Sequence, residues 1–145
     1  MSTVIDVIAP RLLGPAVMFA AAIIVKGYTD VGDGFSAGVI VALAIALRYV
    51  TLGTDGAERS LPVLRHAPAV AAGGLLLALA VGFLPVAAGD PPFTHQPGPG
   101  AHVVKVGTLE LISAVVFDVG VFLLVCGMLV TLIHQLARLV EGPAR

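Results

Sequence analysis

The chain has 145 residues, of which 58% are hydrophobic and only 12% charged, and its net charge is −1. Ordinary soluble domains carry about 25% charged residues, so the composition, with a mean hydropathy of +1.03, excludes that class. It also excludes a nucleic-acid binder, which needs a basic face. The lone Cys126 rules out an intrachain disulfide.

Crossing a bilayer takes about 20 mostly apolar residues, and four stretches reach or approach that length. The first predicted helix covers residues 7–26, with Arg11 near one end and Lys26 closing the other. It reads as a retained helix rather than a cleaved signal. Only Asp6 precedes Arg11, and Ile23-Ile24-Val25-Lys26 offers no small-residue cleavage site. Lys26 fits an end-anchor whose ammonium reaches the interface, or a partner for a nearby acid.

A glycine-rich turn follows, Lys26-Gly27-Tyr28-Thr29-Asp30-Val31-Gly32-Asp33-Gly34-Phe35-Ser36-Ala37-Gly38. No strand precedes it, and Asp30 and Asp33 would repel phosphate, so it is not a nucleotide loop. The second helix is predicted over residues 35–52, with Arg48 snorkelling near its end. Gly34, Gly38, Ala42 and Ala46 recur every four residues there, a spacing that lets helix backbones approach closely in lipid. The third helix, over residues 67–88, is free of charge and repeats the device at Gly74, Ala78 and Gly82.

The stretch from 85 to 108, with Pro91-Pro92 and Pro97-Gly98-Pro99-Gly100, reads as an irregular cap. His95 and His102 lie seven apart in it, with no cysteine nearby, and do not make a zinc site. The fourth helix is predicted over residues 109–133, with Gly120 and Gly127 a heptad apart. Asp118 stands inside this run. An ionised Asp near a membrane-helix centre costs about 2.5–3.5 kcal/mol, and keeping an ordinary carboxyl protonated at pH 7 costs roughly 4 kcal/mol. The side chain therefore needs protein or water around it, and a partner. Two readings stand: a proton- or cation-binding group on an ion path, or a hydrogen-bonding group that locks helix register. Glu110, about two turns above, reads as an interfacial anion near Lys105 or Lys26, or as a step towards Asp118.

With four crossings, Arg11, Arg48, Arg59, Arg65, Arg138 and Arg145 share one side, against Lys26 and Lys105 on the other. Positive-inside bias places both termini in the cytoplasm. The expectation is thus one all-α membrane domain over residues 1–145. No metal-ligand cluster, nucleophile elbow or phosphate loop is visible, so neither catalysis nor a cofactor is expected.

Several of these segments resemble the MnhB subunit of the Mrp-type multisubunit sodium/proton antiporters. The glycine-rich turn is similar to that family's Gly-His, Pro-Gly-Gly-Gly-Phe and following Gly. Gly27, Gly32, Gly34, Phe35 and Gly38 match, while Tyr28 stands for the His, Val31 for the Pro and Asp33 for the middle Gly. A proton role for that His does not carry over to Tyr28. Phe93-Thr94-His95 resembles a Phe-Thr-His after the third helix. Phe117-Asp118-Val119-Gly120-Val121, with Gly127 beyond, resembles a Phe-Asp-x-Gly-Val signature in the fourth, and Arg11 and Pro15 stand where the family has an Arg and a Pro.

The resemblance spans essentially the whole chain. It implies a small non-catalytic subunit in a prokaryotic plasma membrane, surrounded by other hydrophobic subunits and serving sodium and proton exchange. Two alternatives remain: an antiporter-like subunit of a membrane-bound hydrogenase-type complex, and a self-sufficient homodimeric small exporter. The exporter is disfavoured by a first helix without a central acid and by the absence of Trp.

Overall fold

The structure is a computed structural model that describes residues 3–26, 33–95, 104–106, 109–111 and 113–141. Four long helices dominate it: α1 (Thr3–Lys26), α2 (Asp33–Ser60), α3 (Ala67–Ala87) and α4 (Ser113–Glu141). All four are long and apolar enough to cross a membrane. We term the end carrying Lys26, Asp33, Ala87 and Ser113 the upper end, and the opposite one the lower end.

Local chemistry explains where the elements stop. Asp33 places a carboxylate in the first turn of α2, where the helix dipole favours negative charge. The predicted end near residue 52 coincides with a break in α2. Gly53 breaks the helix with φ 69° and ψ 175°, and helix then resumes to Ser60. Gly adopts this backbone without a Cβ clash, so the first helical segment ends there and the polar stretch beyond it forms a separate helical segment. Pro62 opens a short 3-10 turn, Pro62–His66, that feeds directly into α3. The α1 helix holds Pro10 and Pro15 within its length.

A correction concerns the start of the fourth helix. Residues Leu109–Leu111 form a strand, β2, paired antiparallel with β1 (Val104–Val106), and α4 begins only at Ser113. The cap is therefore partly a hairpin rather than wholly irregular. Alternating Val-Lys-Val and Leu-Glu-Leu suits a two-residue period better than a helical one. Apart from these two short strands and the turns over residues 88–95, the described chain is almost wholly helical.

In the bundle α2 and α4 are central. The α3 helix lies against α4, α1 leans on α2, and α1 barely meets α4. The core is built of small residues, with Ala20, Ala37, Ala42 and Ala57 essentially inaccessible. Large apolar side chains point outward instead, including Met18 at 75%, Leu76 at 68% and Leu84 at 71% exposure. Soluble proteins bury such residues. Here the outer surface is fit for lipid, and close backbone packing holds the helices together.

Candidate functional site around Asp118

Asp118 is only 3% exposed and lies on the α4 face that meets α2. Its placement follows from glycine. Gly34, in the first turn of α2, sits directly on the backbone carbonyl of Asp118, and a side chain there would collide with it. One turn further on, a Cβ at Gly38 would stand 3.0 Å from the Phe122 carbonyl and 3.0 Å from Val125 Cβ. The first half of the Gly-Gly-Ala-Ala stripe is thus the seat for α4, Ala42 is buried with it, and Ala46 is half-buried.

A second glycine seam runs along the other side of α4. A Cβ at Gly120 would meet Ala78 N at 2.8 Å, and one at Gly127 would meet Ala71 N at 2.6 Å. Gly74 faces Leu124 and Gly120 in return. Backbone therefore touches backbone on both flanks of α4, and Asp118 is held between two such contacts with little room for water.

The Phe-Thr-His segment closes the upper end of the same region. Phe93 N–H donates to the Gly82 carbonyl at 2.7 Å, and its ring occupies the space a Gly82 side chain would fill, 2.5 Å from the Cβ position. The ring also packs against Phe83 at 5.7 Å and edge-on to Phe117 at 6.0 Å. To reach this seat Phe93 takes φ 62°, a left-handed conformation that a bulky residue holds only when its surroundings fix it. Thr94 donates to the Pro91 carbonyl at 2.7 Å. His95 Nδ1 lies 3.3 Å from Ser113 Oγ, with its ring against Phe117. Gly34 and Gly38 of α2, the Phe93–His95 loop and the fourth-helix signature, far apart in sequence, converge on the α4 segment 113–122.

Other expected residues fall elsewhere. Glu110 is not two turns above Asp118 on a helix; it belongs to β2, its Cα paired with that of Lys105. Lys26 ends α1 and is exposed. Phe35 points outward at 59% exposure. Gly27 and Gly32 lie outside the described residues, as do Tyr28, Asp30, Val31 and His102. Among the described residues no three His, Cys, Asp or Glu side chains group as a metal site.

A polar cluster at the lower end is not apparent from the sequence. Arg138 Nη2 donates to Glu58 Oε1 at 3.2 Å, and His134 Nδ1 stands 3.1 Å from the same oxygen. The hydroxyl of Tyr49, itself 5% exposed, is 3.3 Å from His134 Nδ1. Glu58 and Arg138 are 80 positions apart, and no short-range pattern joins them. The His134-to-Arg138 spacing of four, one helix face, was the available signal. Arg48, read as a snorkelling topology residue, instead ties elements together: it donates to Ser60 Oγ at 3.0 Å and to the Pro10 carbonyl of α1.

Comparison with known proteins bears on this geometry. A family model described as a domain related to the MnhB subunit of Na+/H+ antiporter matches residues 4–131. The chain is 33% identical over 154 residues to a probable K(+)/H(+) antiporter A/B-type subunit of Rhizobium meliloti (strain 1021). That match covers 97% of this chain and only 15% of the much longer relative. Over 120 residues it is 30% identical to the B-type Na(+)/H(+) antiporter subunit of Alkalihalophilus pseudofirmus, covering 83% of this chain and 81% of that one. With the B-type Na(+)/H(+) antiporter subunit of Bacillus subtilis it shares 32% over 121 residues, 83% and 82% of the two chains. With four apolar helices of spanning length, the chain is a multi-pass protein of the cell membrane and belongs to the family of domains related to the MnhB subunit of sodium/proton antiporters.

Proposed function

We propose that this chain is a small, non-catalytic subunit of a multisubunit cation/proton antiporter, with sodium and protons as the exchanged ions and other hydrophobic subunits around it. It supports assembly of the complex and contributes Asp118 to exchange. The observation that carries this reading is the convergence on one α4 segment of described residues from the three stretches by which the sequence resembles the antiporter subunits. Gly34 seats the Asp118 backbone, and Phe93 and His95 pack on Phe117 beside it. An ionised acid at a membrane-helix centre costs about 2.5–3.5 kcal/mol, and such residues mark functional sites by default. Both termini lie in the cytoplasm on this reading, because the lower end gathers Arg59, Arg65 and Arg138. The antiporter names of the relatives support this reading over the hydrogenase-type and homodimeric-exporter alternatives.

The test is Asp118→Asn within the intact complex, assayed for sodium/proton exchange in everted vesicles and for copurification of the other subunits. Asn keeps the volume and removes the charge. Exchange is expected to fall about tenfold, equivalent to roughly 1.4 kcal/mol, while copurification stays normal. Full exchange at normal assembly would remove Asp118 from the ion-handling machinery. A variant that fails to assemble would assign it to register alone.

A further inference from the structure

At the lower end, the last turn of α2, the 3-10 turn, the start of α3 and the last turns of α4 enclose a pocket of about 260 Å³. Glu58, Arg65, Thr131, His134, Gln135 and Arg138 supply its polar lining. Its charges do not balance. Glu58 is shared between His134 and Arg138, whereas Arg65, on a different element, has no hydrogen-bond or ion-pair partner among the described residues. Two guanidiniums face one carboxylate, leaving a net positive pocket even with a neutral imidazole. Guanidinium groups from two elements suit the oxygens of a phosphate, which each can grip with a pair of N–H donors.

The surroundings decide between a soluble anion and a lipid. On the same helix as His134 and Arg138, Met128, Leu132 and Leu136 form an outward stripe, at 56%, 48% and 62% exposure. Spaced four residues apart, they lie on one helix face. The stripe runs from the level of Gln135 back towards the middle of the membrane span. A charged recess on a helix that also carries an outward apolar stripe suits an amphiphile, and basic pockets between membrane helices are suited to anionic headgroups.

We propose that this lower-end pocket binds the phosphate headgroup of an anionic phospholipid, held by Arg65 and Arg138, with an acyl chain lying along Met128, Leu132 and Leu136. The proposal requires only that the chain reside in a membrane and is independent of any role for Asp118 in exchange.

The experiment uses the purified intact complex, delipidated and then incubated in detergent with phosphatidylglycerol, phosphatidylcholine or inorganic phosphate, with retained ligand counted by native mass spectrometry. Wild type is expected to retain phosphatidylglycerol and not phosphatidylcholine. Arg65→Gln and Arg138→Gln should each weaken retention about fivefold, and together about twentyfold, at roughly one interfacial charge each. Glu58→Gln removes the competing anion and should strengthen retention about threefold to fivefold. A variant that was merely misfolded could not produce that gain. Equal retention of the two lipids, wild-type retention by the double variant, or weakened retention in Glu58→Gln would overturn the proposal. Saturable binding of inorganic phosphate as tight as that of the lipid would overturn the lipid assignment.

Discussion

The two ends of α4 are held by different physics. At the upper end Gly34, Gly38, Gly74 and Gly120 bring backbone against backbone, and the acid among them, Asp118, is almost sealed from solvent. At the lower end, about 24 Å further along at 1.5 Å per residue, long side chains from α2 and α4 meet around His134 and leave a pocket. Close packing tolerates no added atoms and transmits displacement. Ion pairs between half-exposed side chains are adaptable and individually weak. The upper end therefore acts as a fixed frame, and the lower end as an adjustable surface.

Substitution at the glycine seat should show the largest effect. Gly34→Leu would force α2 off the Asp118 carbonyl, an overpacking cost of about 3 kcal/mol or more, and recovery of the chain with its partner subunits should drop at least about tenfold. Normal recovery would mean that α2 and α4 are not in backbone contact there. Next comes Asp118→Asn, whose loss of exchange without loss of assembly would separate charge from packing within the same frame.

A smaller effect is expected where the frame meets the Phe93 ring. Gly82→Ala places a methyl in the volume the ring occupies and should cost about 1–2 kcal/mol, read as a lowered Tm of the complex. In a Phe93→Ala background the same change should cost almost nothing. Additive losses in the double variant would show that the ring and Gly82 do not share that space.

The least sensitive site should be the lower cluster. Glu58→Gln, which weakens contacts to a 58%-exposed Arg138, should lower stability by under about 1 kcal/mol. Raising salt should shrink the difference further. A loss as large as that at Gly34 would erase the distinction between frame and surface.

Much of the upper end was readable beforehand, because its signals are compositional and periodic. An acid in an apolar run is rare, and glycines every four residues mark a close-contact face whatever the partner helix. What the spacing could not say is which helix each stripe meets. Gly34 and Gly38 select α4, while Gly120 and Gly127 select α3. The lower cluster was unreadable for a related reason. Tyr49, Glu58 and His134 are ordinary residues singly, and only the break at Gly53, with helix resuming beyond it, brings Glu58 under His134. Glu110 was misplaced because an apolar run of three or four residues reads equally as helix or strand.

Membrane residence, the number of helices and the presence of one costly buried acid were determined by the sequence itself, since each depends on the transfer energies of side chains taken along the chain. The partners of that acid's helix, the left-handed seat of Phe93 and the charged lower pocket were decided only by tertiary structure. They depend on which surfaces fit without overlap, and that fit is a property of two elements together.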